Sequence, residues 1–128
     1  MATTTEEIAK ELFTLCSQGQ FDAVIEKYYS DDIVSIEAMG NEQMPARQEG
    51  IEAIKGKNQW WVENHDIHSV KVGGPLAGGD KFAVTFELDV TFKPTGQRNV
   101  MKELALYTVK DGKIAQEEFF YPTPGAGA

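Results

Sequence analysis

Glutamates spaced two or four residues from aromatic side chains are the first chemistry this chain offers. Glu103 alternates in step with Ala105 and Tyr107, and Glu117 with Phe119 and Tyr121. A strand sends residues i, i+2 and i+4 to one face, so each carboxyl shares its face with aromatic rings. Glu37 follows a short β-branched run, Ile33-Val34-Ser35-Ile36, and precedes a long polar loop, which puts it at what would be a cavity mouth. Burial disfavours a charged carboxylate and raises its pKa toward neutrality. A carboxyl tuned this way can give or take a proton, as acid–base chemistry on a carbonyl compound requires. The same glutamates could instead face solvent or be held by Tyr and Trp for structural reasons, because structural networks also perturb carboxylates.

Other side chains could serve such a site. Tyr107, Tyr121 and Phe119 would line it from the strands. Asn58 is a polar residue on the apolar stripe of a predicted helix, where only a pocket or a partner would satisfy it. Trp61 fits the same stripe as a core residue, and Trp60 beside it would line an entrance. His68, in step with Val70 and Val72, is either a proton shuttle and orienting donor or a plain core histidine. His65 and His68 are three apart on a predicted strand and so point to opposite faces, and no thiolate pair is present. We therefore expect no metal site and no bound cofactor. Cys16 lies on the core face of the first helix without a histidine to activate it, which reads as packing. The glycines between Gly73 and Gly79 lack the Lys-Ser/Thr of a phosphate loop.

The elements that must position these groups follow from periodicity. Phe82, Val84, Phe86, Leu88, Val90 and Phe92 alternate with smaller or polar residues, the mark of a strand with one buried face. A second strand from Val100 to Val109 follows a Lys93-Pro94-Thr95-Gly96-Gln97 turn. Lys110-Asp111-Gly112-Lys113 is a hairpin signal before a last strand, Ile114 to Tyr121. Upstream, Thr4 and Glu7 form a capping box. Ile8, Leu12, Leu15 and Cys16 make the stripe of a first helix that Gly19 closes. A second helix carries Phe21, Val24, Ile25 and Tyr28 and should stop at Ser30-Asp31-Asp32. Residues 38–50 and 73–80 read as loops around a third helix, 51–64, and a strand, 66–72. Helices first and antiparallel strands last indicate an α+β fold, with the helices on one face of the sheet.

The chain has 128 residues, one cysteine and a net charge of −8. That is the size of one domain, and the negative charge argues against nucleic-acid and membrane-surface roles. A lone cysteine and an amino terminus without basic and apolar regions lead us to expect a cytoplasmic protein. The final strands carry large apolar groups on their second face as well, at Leu104, Leu106 and Phe120. A homodimer through that outer face would cover them, although scattered surface apolars also need no partner.

Gly19-Gln20-Phe21-Asp22 leading to Tyr29-Ser30-Asp31-Asp32-Ile33, with Gly50-Ile51-Glu52-Ala53-Ile54, Gly79-Asp80-Lys81-Phe82-Ala83-Val84 and Val109-Lys110-Asp111-Gly112-Lys113-Ile114, resembles the SnoaL-like proteins. These belong to the nuclear transport factor 2-like, or cystatin-like, superfamily that includes ketosteroid isomerase. The resemblance implies one domain over 1–121, a strongly curved, mostly antiparallel sheet with three helices on its concave face, a cone-shaped α+β barrel. Residues 122–128 would be a flexible tail. It also implies a cone-shaped pocket and frequent dimers packed through the sheet. By the same resemblance, Glu37 falls at the carboxylate base of ketosteroid isomerases and Glu103 near their second carboxyl. Leu12 stands where those enzymes have a tyrosine, so Tyr107 or Tyr121 would have to substitute. Three functions fit: a cofactor-free isomerase or cyclase, with Glu37 as base and Glu103 or Glu117 as proton donor; a binder of a small apolar or aromatic molecule; or a dimerisation or partner module with a filled interior.

Overall fold

Thr4 opens the first helix, α1 (Thr5–Ser17): its Oγ1 accepts from the Glu7 amide at 3.2 Å. Gly19, at φ 75°, ends it. The Gly19 and Gln20 amides return to the carbonyls of Cys16 and Leu15, the double bond of a Schellman cap. The computed structural model describes residues 4–40, 42 and 45–122. The expected tail, 122–128, lies outside the described residues apart from Pro122. Helix α2 (Phe21–Tyr28) follows and passes directly into strand β1 (Tyr29–Ile36). The helix ends just before Ser30-Asp31-Asp32, as expected, but those three residues already belong to the strand, which begins at Tyr29 rather than Ile33. A register shift between Tyr29 and Val34 lets Asp31 and Asp32 remain exposed while Tyr29 and Ile33 turn inward.

The remaining elements are β2 (Arg47–Glu49), α3 (Ile51–Asn64), β3 (His65–Gly78), β4 (Lys81–Phe92), β5 (Gln97–Lys110) and β6 (Lys113–Phe120). The six strands β1 to β6 form one sheet in the order β2-β1-β6-β5-β4-β3, antiparallel throughout except where β1 runs parallel to β6. The fold is thus α+β, as expected. The expected barrel does not close, because β2 and β3 stay at opposite edges of the sheet. Strand β2 falls inside the stretch 38–50 that the sequence marks as loop.

Residues 73–80 also differ from expectation, since β3 continues through Gly73, Gly74 and Pro75 to Gly78. Gly73 pairs with Thr85, and a Cβ there would lie 2.3 Å from the Thr85 hydroxyl. That glycine records a close cross-strand approach rather than a loop. Asp111 and Gly112 both take positive φ, as a two-residue hairpin turn demands.

The core is the inner face of β4, from Phe82 to Val90, against Ile8, Leu12 and Cys16 of α1, Val24 and Ile25 of α2 and Ile54 of α3. A bulge matters for reading the last strand. Thr108 pairs with Gln116 but Val109 with Ile114, leaving Ala115 as the extra residue. Strict alternation puts Ile114 on the outer face with Phe120. The bulge brings it inside, fully buried beside Val109.

Candidate active site

Helices and sheet enclose a cavity of about 470 Å³, within the range of small-molecule sites. Its apolar wall comes from all layers: Leu12 and Cys16 of α1, Phe21 and Ile25 of α2, Trp61 of α3, Phe86, Met101 and Phe119 of the sheet. Trp60 and Met39, both well exposed, stand at the rim. Three carboxyls open into this cavity, Glu37, Glu103 and Glu117. Among the described residues that line it, Lys57 is the only cation.

Glu117, on the inner face of β6, is buried to 3% exposure. The Tyr29 hydroxyl donates to its Oε1, and Ser35 Oγ donates to its Oε2 at 2.7 Å. Ser35 reaches it because β1 and β6 pair in parallel with Ser35 opposite Glu117. Burial still raises the Glu117 carboxyl above its ordinary pKa, against the lowering influence of Lys57, Tyr29 and Ser35. Lys57 reaches in from α3. Its Nζ donates to Ser35 Oγ at 2.7 Å and to Glu37 Oε1 at 3.0 Å, and lies 3.9 Å from Glu117 Oε2. It also sits 5.5 Å from the centroid of the Phe119 ring.

Glu103, on β5, differs from the other two. Among the described residues no hydrogen-bond or ion-pair partner holds it. Burial first, then the negative charges of Glu37 and Glu117, push its carboxyl up to about 7, with Lys57 opposing. A carboxyl near that value is suited to proton exchange at neutral pH. Tyr121 at the mouth is raised to about 12, by burial and then by the charge and hydrogen bond of Glu37. Tyr107 is raised well above the ordinary range by burial and by Glu117. Its ring stacks on Phe82 at 4.8 Å and meets Phe119 edge-on at 6.5 Å. Burial, with Glu117 nearby, lifts the Cys16 thiol to about 12, so it is an inert wall residue.

The amino-acid pattern over residues 3–121 matches the model of the SnoaL-like domain. The chain belongs to the SnoaL-like family. A protein from Mesorhizobium loti named for the SnoaL-like polyketide cyclases is 49% identical, with a TM-score of 0.87 over 93% of this chain and all of that one. Two more distant structures share the fold. One is a Xanthomonas campestris protein of unknown function with a cystatin-like fold (23% identity, TM-score 0.75, 96% of this chain and 92% of that one). The other is from Jannaschia sp. CCS1, also named for the SnoaL-like polyketide cyclases (21% identity, TM-score 0.72, 91% and 83%). No curated protein matches.

In this SnoaL-like chain Glu37, Glu103, Glu117, Tyr107, Tyr121, Asn58, Trp61 and Phe119 all line one cavity. His68 does not. A bulge between Ile67 and Ser69 turns it out of the inward alternation, and its exposed ring bonds Thr91 Oγ1 at 2.7 Å through Nε2. His65 instead stacks on Trp61 at 4.3 Å, with Nδ1 2.8 Å from the Trp61 carbonyl. Leu12 lines the cavity where the isomerase resemblance placed a tyrosine. Sequence reasoning missed Lys57, Tyr29 and Ser35. Lys57 follows Ile54 by three and precedes Trp61 by four, a helical spacing that marks it as inward-facing. Lysine is so commonly solvated that the spacing alone does not draw attention.

Proposed function

We propose that this protein binds a small neutral carbonyl compound with an apolar or aromatic body and moves a proton at the carbon beside the carbonyl, as an isomerase or cyclase does. The observation that carries this is the convergence of Glu37, Glu103 and Glu117 on one largely apolar cavity. Glu37, at the mouth, takes the proton from the substrate carbon. Glu103 in its neutral form donates a hydrogen bond to the carbonyl oxygen as negative charge develops there, and the protonated Glu37 then returns the proton to carbon, so both carboxyls regain their starting states. Glu117 is tied up by Tyr29 and Ser35, so it fixes Lys57 and the polarity of the cavity floor rather than exchanging protons. The 49% identical Mesorhizobium loti protein is named for the SnoaL-like polyketide cyclases, with carbohydrate phosphatase as a second name, and the first of these names supports chemistry of this class.

The test is α-proton exchange. Aryl ketones and cyclic β-tetralone-type ketones are incubated with the protein in deuterated buffer, and loss of the α-proton signal is followed by NMR. Glu37→Gln and Glu103→Gln are each expected to slow exchange by about 100-fold or more. A ligand that binds tightly, yet exchanges no faster than in buffer, makes the protein a binding module instead. We further propose that a second copy covers the outer sheet face, where Leu104 and Phe120 pair across β5 and β6 and are both exposed.

A further inference from the structure

Within that cavity one donor is unspent. An ammonium group carries three N–H donors and accepts nothing. Ser35 Oγ and Glu37 Oε1 take two of those of Lys57. Glu117 Oε2, at 3.9 Å, is beyond hydrogen-bond reach, and it already accepts from Ser35. Among the described residues no other acceptor meets Nζ, which borders the cavity beside the Phe119 ring. The side chain is only 15% exposed, so bulk water is a poor substitute.

We propose that the third N–H of Lys57 is a ligand subsite: it holds the oxygen of a neutral acceptor, and in the reaction proposed above it joins neutral Glu103 in polarising the substrate carbonyl. This rests on the carbonyl-substrate reading but is separable from proton transfer. The charge around Nζ sets the ligand class. Lys57 faces Glu37 and Glu117, with Glu103 on β5, the strand next to that of Glu117. With Glu103 neutral, the cavity still holds two other carboxyls, Glu37 and Glu117, for one ammonium, and a carboxylate or phosphate ligand would meet net repulsion. A ketone, ester or quinone oxygen meets none.

The probe is para-dimethylaminoacetophenone, whose absorption band moves to the red when its carbonyl is polarised. Its analogue with ethyl in place of acetyl is the control. With the intact protein the ketone band is expected to shift red on binding. Lys57→Arg should keep more than half of the shift. Lys57→Met should lose most of it and bind the ketone about tenfold to a hundredfold more weakly, as expected for one lost hydrogen bond to a charged donor, with the ethyl control unaffected. If Lys57→Met does not fold, Lys57→Met combined with Glu117→Gln restores the charge balance and carries the same expectation. An undiminished red shift without Lys57, an equal loss of affinity for ketone and control, a borohydride-trapped covalent adduct, or no binding of the ketone overturns the subsite. A red shift without α-proton exchange retains the subsite and removes the proton-transfer function. Exchange that survives Lys57→Met with an unchanged band does the reverse.

Discussion

Removing the Lys57 charge should destabilise the fold, and more so at higher pH. Nζ stands 3.0 Å from Glu37 and 3.9 Å from Glu117, with the three side chains 15%, 25% and 4% exposed. Leaving a buried charge without its partner costs about 3–5 kcal/mol. Water screens the Glu37 side of the pair, so about 2–3 kcal/mol is expected for Lys57→Met at about pH 8. The sign of the pH dependence follows from linkage. Lys57 lowers the proton affinity of both Glu103 and Glu117, whose carboxyls already lie above their ordinary range. Without it those native-state pKa values rise further. A carboxyl raised in the folded state contributes stability at low pH that is lost as pH climbs through its folded pKa. The variant should therefore lose less than half as much at about pH 5.5, where protonation relieves the unpaired acids. Urea denaturation of both proteins at the two pH values measures this. A loss under about 1 kcal/mol at about pH 8, or equal losses at both, refutes the reasoning. Adding Glu117→Gln should recover at least half of the loss.

Two further outcomes are expected. Glu103→Gln should stabilise the protein as pH rises from 4.5 to about 7, the interval between the ordinary and the native pKa of Glu103. The gain approaches on the order of 3 kcal/mol above that interval, since each pH unit is worth about 1.4 kcal/mol, and equal stability of the two proteins at high pH would count against a buried Glu103. Leu104→Glu should halve the mass seen by light scattering, because it puts a charge on the outer face beside Phe120. A wild-type protein that already runs at 14.2 kDa removes the dimer.

Much of the site was legible because strand parity is robust between bulges. Glu103 with Tyr107, and Glu117 with Phe119, needed only a count by twos, and the cavity confirms their shared face. His68 and Ile114 failed for one reason. Each sits at or beside a one-residue bulge, and a bulge flips alternation without any glycine or proline to announce it. Strand β2 was hidden in a polar stretch, Arg47–Glu49, whose pairing depends on β1 rather than on its own propensity. The Gly73–Pro75 segment misled in the opposite direction, because its small residue answers to Thr85 across the strand. Lys57 was missed because charge suggests solvent. Its burial is made possible by Ser35, Glu37, Glu117 and the Phe119 ring, which lie far from it in sequence.

The most direct measurement is a carbon-13 titration of the Glu103 side-chain carboxyl, assigned by its disappearance in Glu103→Gln. A midpoint of about 7 is predicted, moving higher in Lys57→Met. A midpoint near 4.5 would show a water-bathed carboxylate and contradict the proton-transfer site.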